Sequence, residues 1–165
     1  MSDNFKNQEP QVIRPHGKRL GRELAMSFLF SCEMRGEIPR AELFDTFWET
    51  AVPEYADVDE KTLRRAADYA VKLYTAVILN QEKIDAMLSP LCVNWDWKRI
   101  SAVDRNIMRV AVAEMLEFDE VPLVVSIDEA VEIARDFSGV EDGSFINGVL
   151  NRIMNELPPP EKRKD

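Results

Sequence analysis

A chain of 165 residues with 45% hydrophobic content is long enough to bury one sizeable core. Its formal net charge of −9 argues against nucleic-acid binding over the whole surface, because phosphate contacts supply most nonspecific affinity. No apolar run approaches the roughly 18 residues of a membrane span, and Met1 to Asn7 lack the apolar stretch of a secretory signal, so a cytoplasmic protein with no membrane partner is expected.

Along the chain, residues 1–15 are polar, carry Pro10 and Pro15, show no apolar period, and read as a flexible tail. Residues 16–157 then show helical spacing throughout and predict an all-α bundle of about seven helices, near 17–35, 40–51, 59–79, 81–92, 99–118, 123–137 and 143–156. Gly36 and Pro39 end the first helix, Pro53 the second, Ser89-Pro90 falls near the end of the fourth, and Pro122 follows the fifth. Residues 158–165, three prolines and then charges, read as a second tail.

Two helices are distinctive. Leu63, Ala66, Ala67, Ala70, Val71, Tyr74, Val77 and Ile78 make one stripe at three- and four-residue spacing, as on the outside of a bundle. Val103, Ile107, Met108, Val110, Ala111, Val112, Ala113, Met115 and Leu116 instead surround most of a helix, which places it at the centre. Gly148, between Asn147 and Val149, is a poor helix former and is read as a site of close backbone packing. Trp95 and Trp97 are expected in the core, and Cys32 and Cys92, far apart and without metal-site spacing, as buried free thiols.

Charge is unevenly spread. From Met1 to Arg22 there are five basic side chains (Lys6, Arg14, Lys18, Arg19, Arg22) against Asp3 and Glu9, a local +3 that leaves −12 on the rest. On a helical wheel Leu20, Leu24, Ala25, Phe28 and Cys32 share one side, and Arg19, Arg22, Met26 and Phe30 the other. Two guanidinium groups beside an aromatic ring suit single-stranded RNA, which is held by phosphate contacts and base stacking. The alternative is that Phe30 packs beneath a neighbouring helix and the arginines are solvated.

Catalytic patterns are missing. His16 is the only histidine, no phosphate-binding glycine pattern occurs, and no nucleophile has a base at a recognisable spacing, so neither an enzyme nor a cofactor is expected. Asp128, Glu129 and Glu132 lie opposite Ile127, Val131 and Ala134 and read as a solvated helix face.

Three separated segments carry a family resemblance: the basic start His16-Gly17-Lys18-Arg19-Leu20-Gly21-Arg22-Glu23; Ser101-Ala102-Val103-Asp104-Arg105-Asn106-Ile107-Met108-Arg109; and residues 124–135 with Phe145-Ile146-Asn147-Gly148-Val149-Leu150. In this order they resemble the NusB family of transcription antitermination factors over roughly residues 16–156. The resemblance implies an all-α protein that binds boxA-type single-stranded RNA with the ribosomal small-subunit protein NusE, within the transcription elongation complex and in support of ribosomal RNA synthesis. It implies RNA contact by Lys18, Arg19 and Arg22 and by Phe30, which stands where the family commonly has Tyr. Leu20 and Gly21 interrupt the basic cluster. The loop and helix start around Ser144 and Phe145 are implied as a second RNA contact, tempered by Asp142, although Asp142 or Ser144 would equally serve as a helix N-cap. Asp104 is implied at the NusE interface, although an acid in a first helical turn also has a structural reason. A homodimer is an open alternative. So are a protein adaptor without RNA binding and a stand-alone relative of the RNA-binding domain of ribosomal RNA cytosine methyltransferases.

Overall fold

The structure, a computed structural model, describes residues 17–92 and 96–158. The expected tail at 1–15, His16, Trp95 and residues 159–165 lie outside that description. Among the described residues the chain is all α-helical: α1 (Gly17–Arg35), α2 (Ala41–Ala51), α3 (Glu60–Leu88), α4 (Ala102–Glu117), α5 (Leu123–Phe137) and α6 (Val140–Glu156), with single 3₁₀ turns at Val52–Tyr55, Ser89–Leu91 and Trp97–Arg99. No helix among these residues is long and apolar enough to cross a membrane.

Six α-helices replace the predicted seven because no break occurs at residue 80. Asn80 stays helical, donating from Nδ2 to the Ala76 carbonyl at 2.9 Å and to Glu117 at 3.3 Å. The apolar stripe continues in phase through Val77, Ile84 and Leu88, all fully buried, so the 29 residues of α3 form one rod about 43 Å long. Asp59 starts it by accepting the Thr62 N–H at 2.9 Å. Gly36, with φ of 66°, ends α1 in the left-handed conformation that favours glycine.

As its pattern predicts, α4 is the central helix and is buried continuously from Asn106 to Met115. Ser101 caps it by accepting the Asp104 N–H at 3.1 Å. Its partner α1 runs antiparallel: Arg105 and Asn106 at the start of α4 donate to Glu33 near the end of α1 at 2.9 and 2.8 Å, while Glu114 near the end of α4 meets Arg22 near the start of α1. Against α3, α1 runs parallel, with Gly21 beside Ala66 and Tyr69 and the Phe28 ring tilted 59° against that of Tyr74, centroids 4.9 Å apart. Phe44 of α2 joins these rings at 5.2 and 5.3 Å, which closes one end of the core. Arg109 clamps α4 to the far end of α3 through Asp85 at 2.8 and 2.9 Å, with its guanidinium 5.6 Å from the half-buried Trp97 ring. Cys32 and Cys92 are buried and unpaired.

A single carboxylate gathers four helices. Glu114, 1% exposed, accepts one bifurcated hydrogen bond from Nε of Arg22 on α1, at 3.0 and 2.9 Å to its two oxygens, one from the Tyr69 hydroxyl on α3 and one from the Ser126 hydroxyl on α5 at 2.6 Å. Burying either charge alone would be costly, so the pair persists because every partner is present.

Close packing falls at different glycines from the one expected. A Cβ on Gly148 would meet nothing within 4 Å, so Gly148 is an exposed helix residue rather than a packing site. Gly21 is the tight position: an added Cβ would stand 3.0 Å from the Ala66 carbonyl and from Tyr69. Urea denaturation should therefore show Gly21→Ala destabilised by about 1 to 3 kcal/mol through overpacking, and Gly148→Ala stabilised by about 0.5 to 1 kcal/mol through helix propensity. By the same measurement Glu114→Ala should lose about 3 to 5 kcal/mol, because Arg22 is left charged and unpaired, whereas Arg22→Met combined with Glu114→Met should recover much of that loss.

Candidate functional site

The flank of α1 that bears Arg19, Arg22, Met26 and Phe30 is where the sequence places a guanidinium pair beside an aromatic ring. The angular relation holds, but α4 and α5 cover much of this flank. Arg22 is the main correction: its side chain is 6% exposed, locked onto Glu114, and its Nη1 lies 3.8 Å from Glu129 on α5. It is a core cation, turned inward because Glu114 sits beneath it, and its guanidinium also lies 5.6 Å from the centre of the Tyr69 ring. Met26 is buried with it.

Arg19 is one turn nearer the surface, with 34% of its side chain exposed. It forms a two-pronged pair with Glu129, whose side chain is 20% exposed; Nη2 donates to Oε1 at 3.0 Å and Nε to Oε2. Glu129 is therefore no member of a merely solvated face, although Glu132 pairs locally with Arg135 at 2.9 Å. Lys18 is exposed, its ammonium 5.8 Å from the Tyr69 ring centre. These groups line a shallow groove between the start of α1 and the turn into α5, where Glu120 and Pro122 form the opposite wall. Phe30, half-buried, lies further along the same flank.

Acidic groups border the groove. Glu23, four residues beyond Arg19, is half-buried, and burial together with the nearby carboxylate of Asp136 on α5 pushes its carboxyl up to about 7. Glu23 and Glu129 are the functional candidates missed from the sequence. An i, i+4 relation made Arg19 and Glu23 legible as neighbours, but nothing local links Arg19 to a residue 110 positions away.

The second expected surface differs in detail. Helix α6 begins at Val140, with Gly139 at the cap position and φ of 114°, so neither Asp142 nor Ser144 is the N-cap. Asp142 lies in the first turn with Glu141, and Ser144 is an exposed residue within the helix. Two acids at this N-terminus make it a poor place for a phosphate. Phe145 is half-buried against the core. Gly143 packs on α5, where an added Cβ would meet Arg135 at 2.9 Å, so α5 links the α1 groove to the start of α6.

Asp104 is also turned inward. Only 5% exposed, it accepts a hydrogen bond from Ser138 at 2.9 Å and faces the carboxyl of Asp142; burial and that second carboxyl push its pKa up to about 6, above the ordinary carboxylate range. The residues expected at two different surfaces thus meet at one junction of α4, α5 and α6.

This geometry has close counterparts among known proteins. A family model described as the NusB family matches residues 19–155. The transcription antitermination protein NusB of Koribacter versatilis is 36% identical over 153 residues, which span 93% of this chain and 99% of that relative. For the protein of the same name from Acetivibrio thermocellus the identity is 35% over 138 residues, 84% of this chain and 88% of the relative. That from Chloroherpeton thalassium is 38% identical over 140 residues, 85% of this chain, which spans 62% of that relative's length. Among solved structures, NusB of T. maritima superposes with a TM-score of 0.73 at 30% identity, covering 92% of this chain and 99% of that one. The NusB chain type also recurs in a crystal structure of antitermination factors NusB and NusE in complex with dsRNA, matched with a TM-score of 0.70 at 26% identity over 86% of this chain and 98% of that one. With the same helical architecture and relatives aligned over most of their length, this chain belongs to the NusB family.

Proposed function

We propose that this protein is a transcription antitermination factor that binds boxA-type single-stranded RNA together with NusE, in support of ribosomal RNA synthesis. The observation that carries this reading is family membership over residues 19–155, joined to a groove in which Lys18 and Arg19 stand near the surface on the flank that also bears Phe30. A solved relative in complex with NusE and RNA supports both partners. Lys18 and Arg19 supply phosphate contacts, Phe30 supplies a stacking face, and Arg22 positions Arg19 and Glu129 from beneath rather than touching RNA. Ser144 and the edge of Phe145 offer a second contact, with Asp142 tempering its affinity. Asp104 acts on the NusE side through its junction with Ser138 and Asp142, since its carboxyl is not itself at the surface.

Fluorescence anisotropy of a labelled boxA RNA, titrated with and without NusE across a salt series, tests the reading. Binding should be salt-sensitive and tighter with NusE. Lys18→Gln should weaken it and flatten the slope of log K against log salt by about 0.7, the value for one phosphate on a single strand. Phe30→Ala should lose about 1 to 3 kcal/mol if one base stacks there. Absence of RNA binding at every salt concentration would leave the protein-adaptor reading in its place.

The same assay has a pH dependence. Glu23, with its carboxyl at about 7, is neutral below that value and charged above it. A negative charge beside Arg19 opposes phosphate, so RNA affinity should rise as pH falls from 8 to 6. Glu23→Gln should remove that rise and bind at pH 8 as the parent does at pH 6; an unaltered pH profile would exclude Glu23 as its source.

A further inference from the structure

Arg22 and Arg19 do not present two unoccupied charges. From the core outward the side chains alternate in sign: Glu114, Arg22, Glu129, Arg19. The inner pair is sealed, with Glu114 at 1% and Arg22 at 6% side-chain exposure, whereas the outer pair is open to solvent, at 20% for Glu129 and 34% for Arg19. Glu129 presents two oxygens to the Arg19 guanidinium, which is the two-pronged arrangement that a phosphate also offers.

We propose that Glu129 is an intramolecular stand-in for RNA phosphate: in the free protein it occupies Arg19, and a phosphate must displace it for Arg19 to bind RNA. The inference rests on the RNA-binding reading above and adds its regulation. Three features of the geometry carry it. The occupied guanidinium lies in the same groove as the exposed Lys18, so an arriving strand meets the ion pair itself. Glu129 has a second cation to rest on once displaced, Arg22 Nη1 at 3.8 Å, and so is not stranded without a partner. A partly exposed ion pair is weak enough to exchange, whereas the buried pair beneath it is not. The consequence is selectivity: a lone anion gains little by replacing a carboxylate already in place, while a strand that also engages Lys18 and Phe30 gains enough to open the pair.

The test uses a labelled single-stranded boxA RNA and the full chain at fixed pH and salt, with thermal melts to check that each variant remains folded. Glu129→Gln should bind about two- to fivefold tighter, the range that an ion pair of this exposure is worth. Glu132→Gln removes the same charge from the same helix without opening the Arg19–Glu129 pair, and should gain clearly less than Glu129→Gln. In an Arg19→Gln background, the gain from Glu129→Gln should vanish. An equal gain from Glu132→Gln, or a gain that survives in the Arg19→Gln background, would reduce the effect to bulk charge and overturn the proposal. Weaker binding by Glu129→Gln would overturn it too, since Glu129 would then be orienting Arg19 for RNA. If the parent binds RNA and Glu129→Gln binds identically, this inference alone falls; if no variant binds RNA, the RNA reading falls with it.

Discussion

The ion pair between Arg22 and Glu114 is the interaction on which the other contacts of the site depend. It lies where α1, α3, α4 and α5 converge, and each helix contributes one group to it: Arg22, Tyr69, Glu114 and Ser126. An apolar contact at this point would hold the helices together but would tolerate sliding. A carboxylate whose hydrogen bonds come from three directions does not, because a small displacement leaves a buried charge without its partners. It thereby sets the rotation of α1 about its own axis, and with it the outward direction of Arg19, Glu23 and Phe30.

Charge on the surface follows from charge in the core. Once Arg22 is committed to Glu114, the basic cluster read along residues 18–22 shrinks to Lys18 and Arg19, and Glu129 occupies the second of these. Glu23 and Asp136 add negative charge at the border. The groove is thus close to neutral on an acidic protein, which is consistent with the proposed role, since weak bulk attraction leaves selectivity to specific contacts.

Helix α5 joins the two ends of this system. Near its start Ser126 holds Glu114 in the core and Glu129 reaches the α1 groove, and further along Val131 and Arg135 pack against Gly143 of α6, while Ser138, just past its end, holds Asp104. A partner acting at the Asp104 junction and a strand in the α1 groove would therefore press on the same 15-residue rod.

Much of the architecture was legible in the chain itself. The all-α class, the buried α4, the turn at Gly36 and the thiols of Cys32 and Cys92 followed from periodicity, turn residues and spacing, which are local properties that the structure preserves. The continuity of α3 through Asn80 did not follow, because an asparagine that weakens an isolated helix is retained here by bonds to Ala76 and Glu117. Nor did the true packing glycines, since Gly21 and Gly143 differ from Gly148 only in what stands opposite them. For the site, sequence determined which residues share the α1 flank, and tertiary structure decided which of them are available. Arg19 and Arg22 are both charged and lie three positions apart, yet one is half-exposed and the other sealed. Their carboxylate partners lie 110 and 92 residues away, and a helix wheel has no knowledge of the helix that will pack against it.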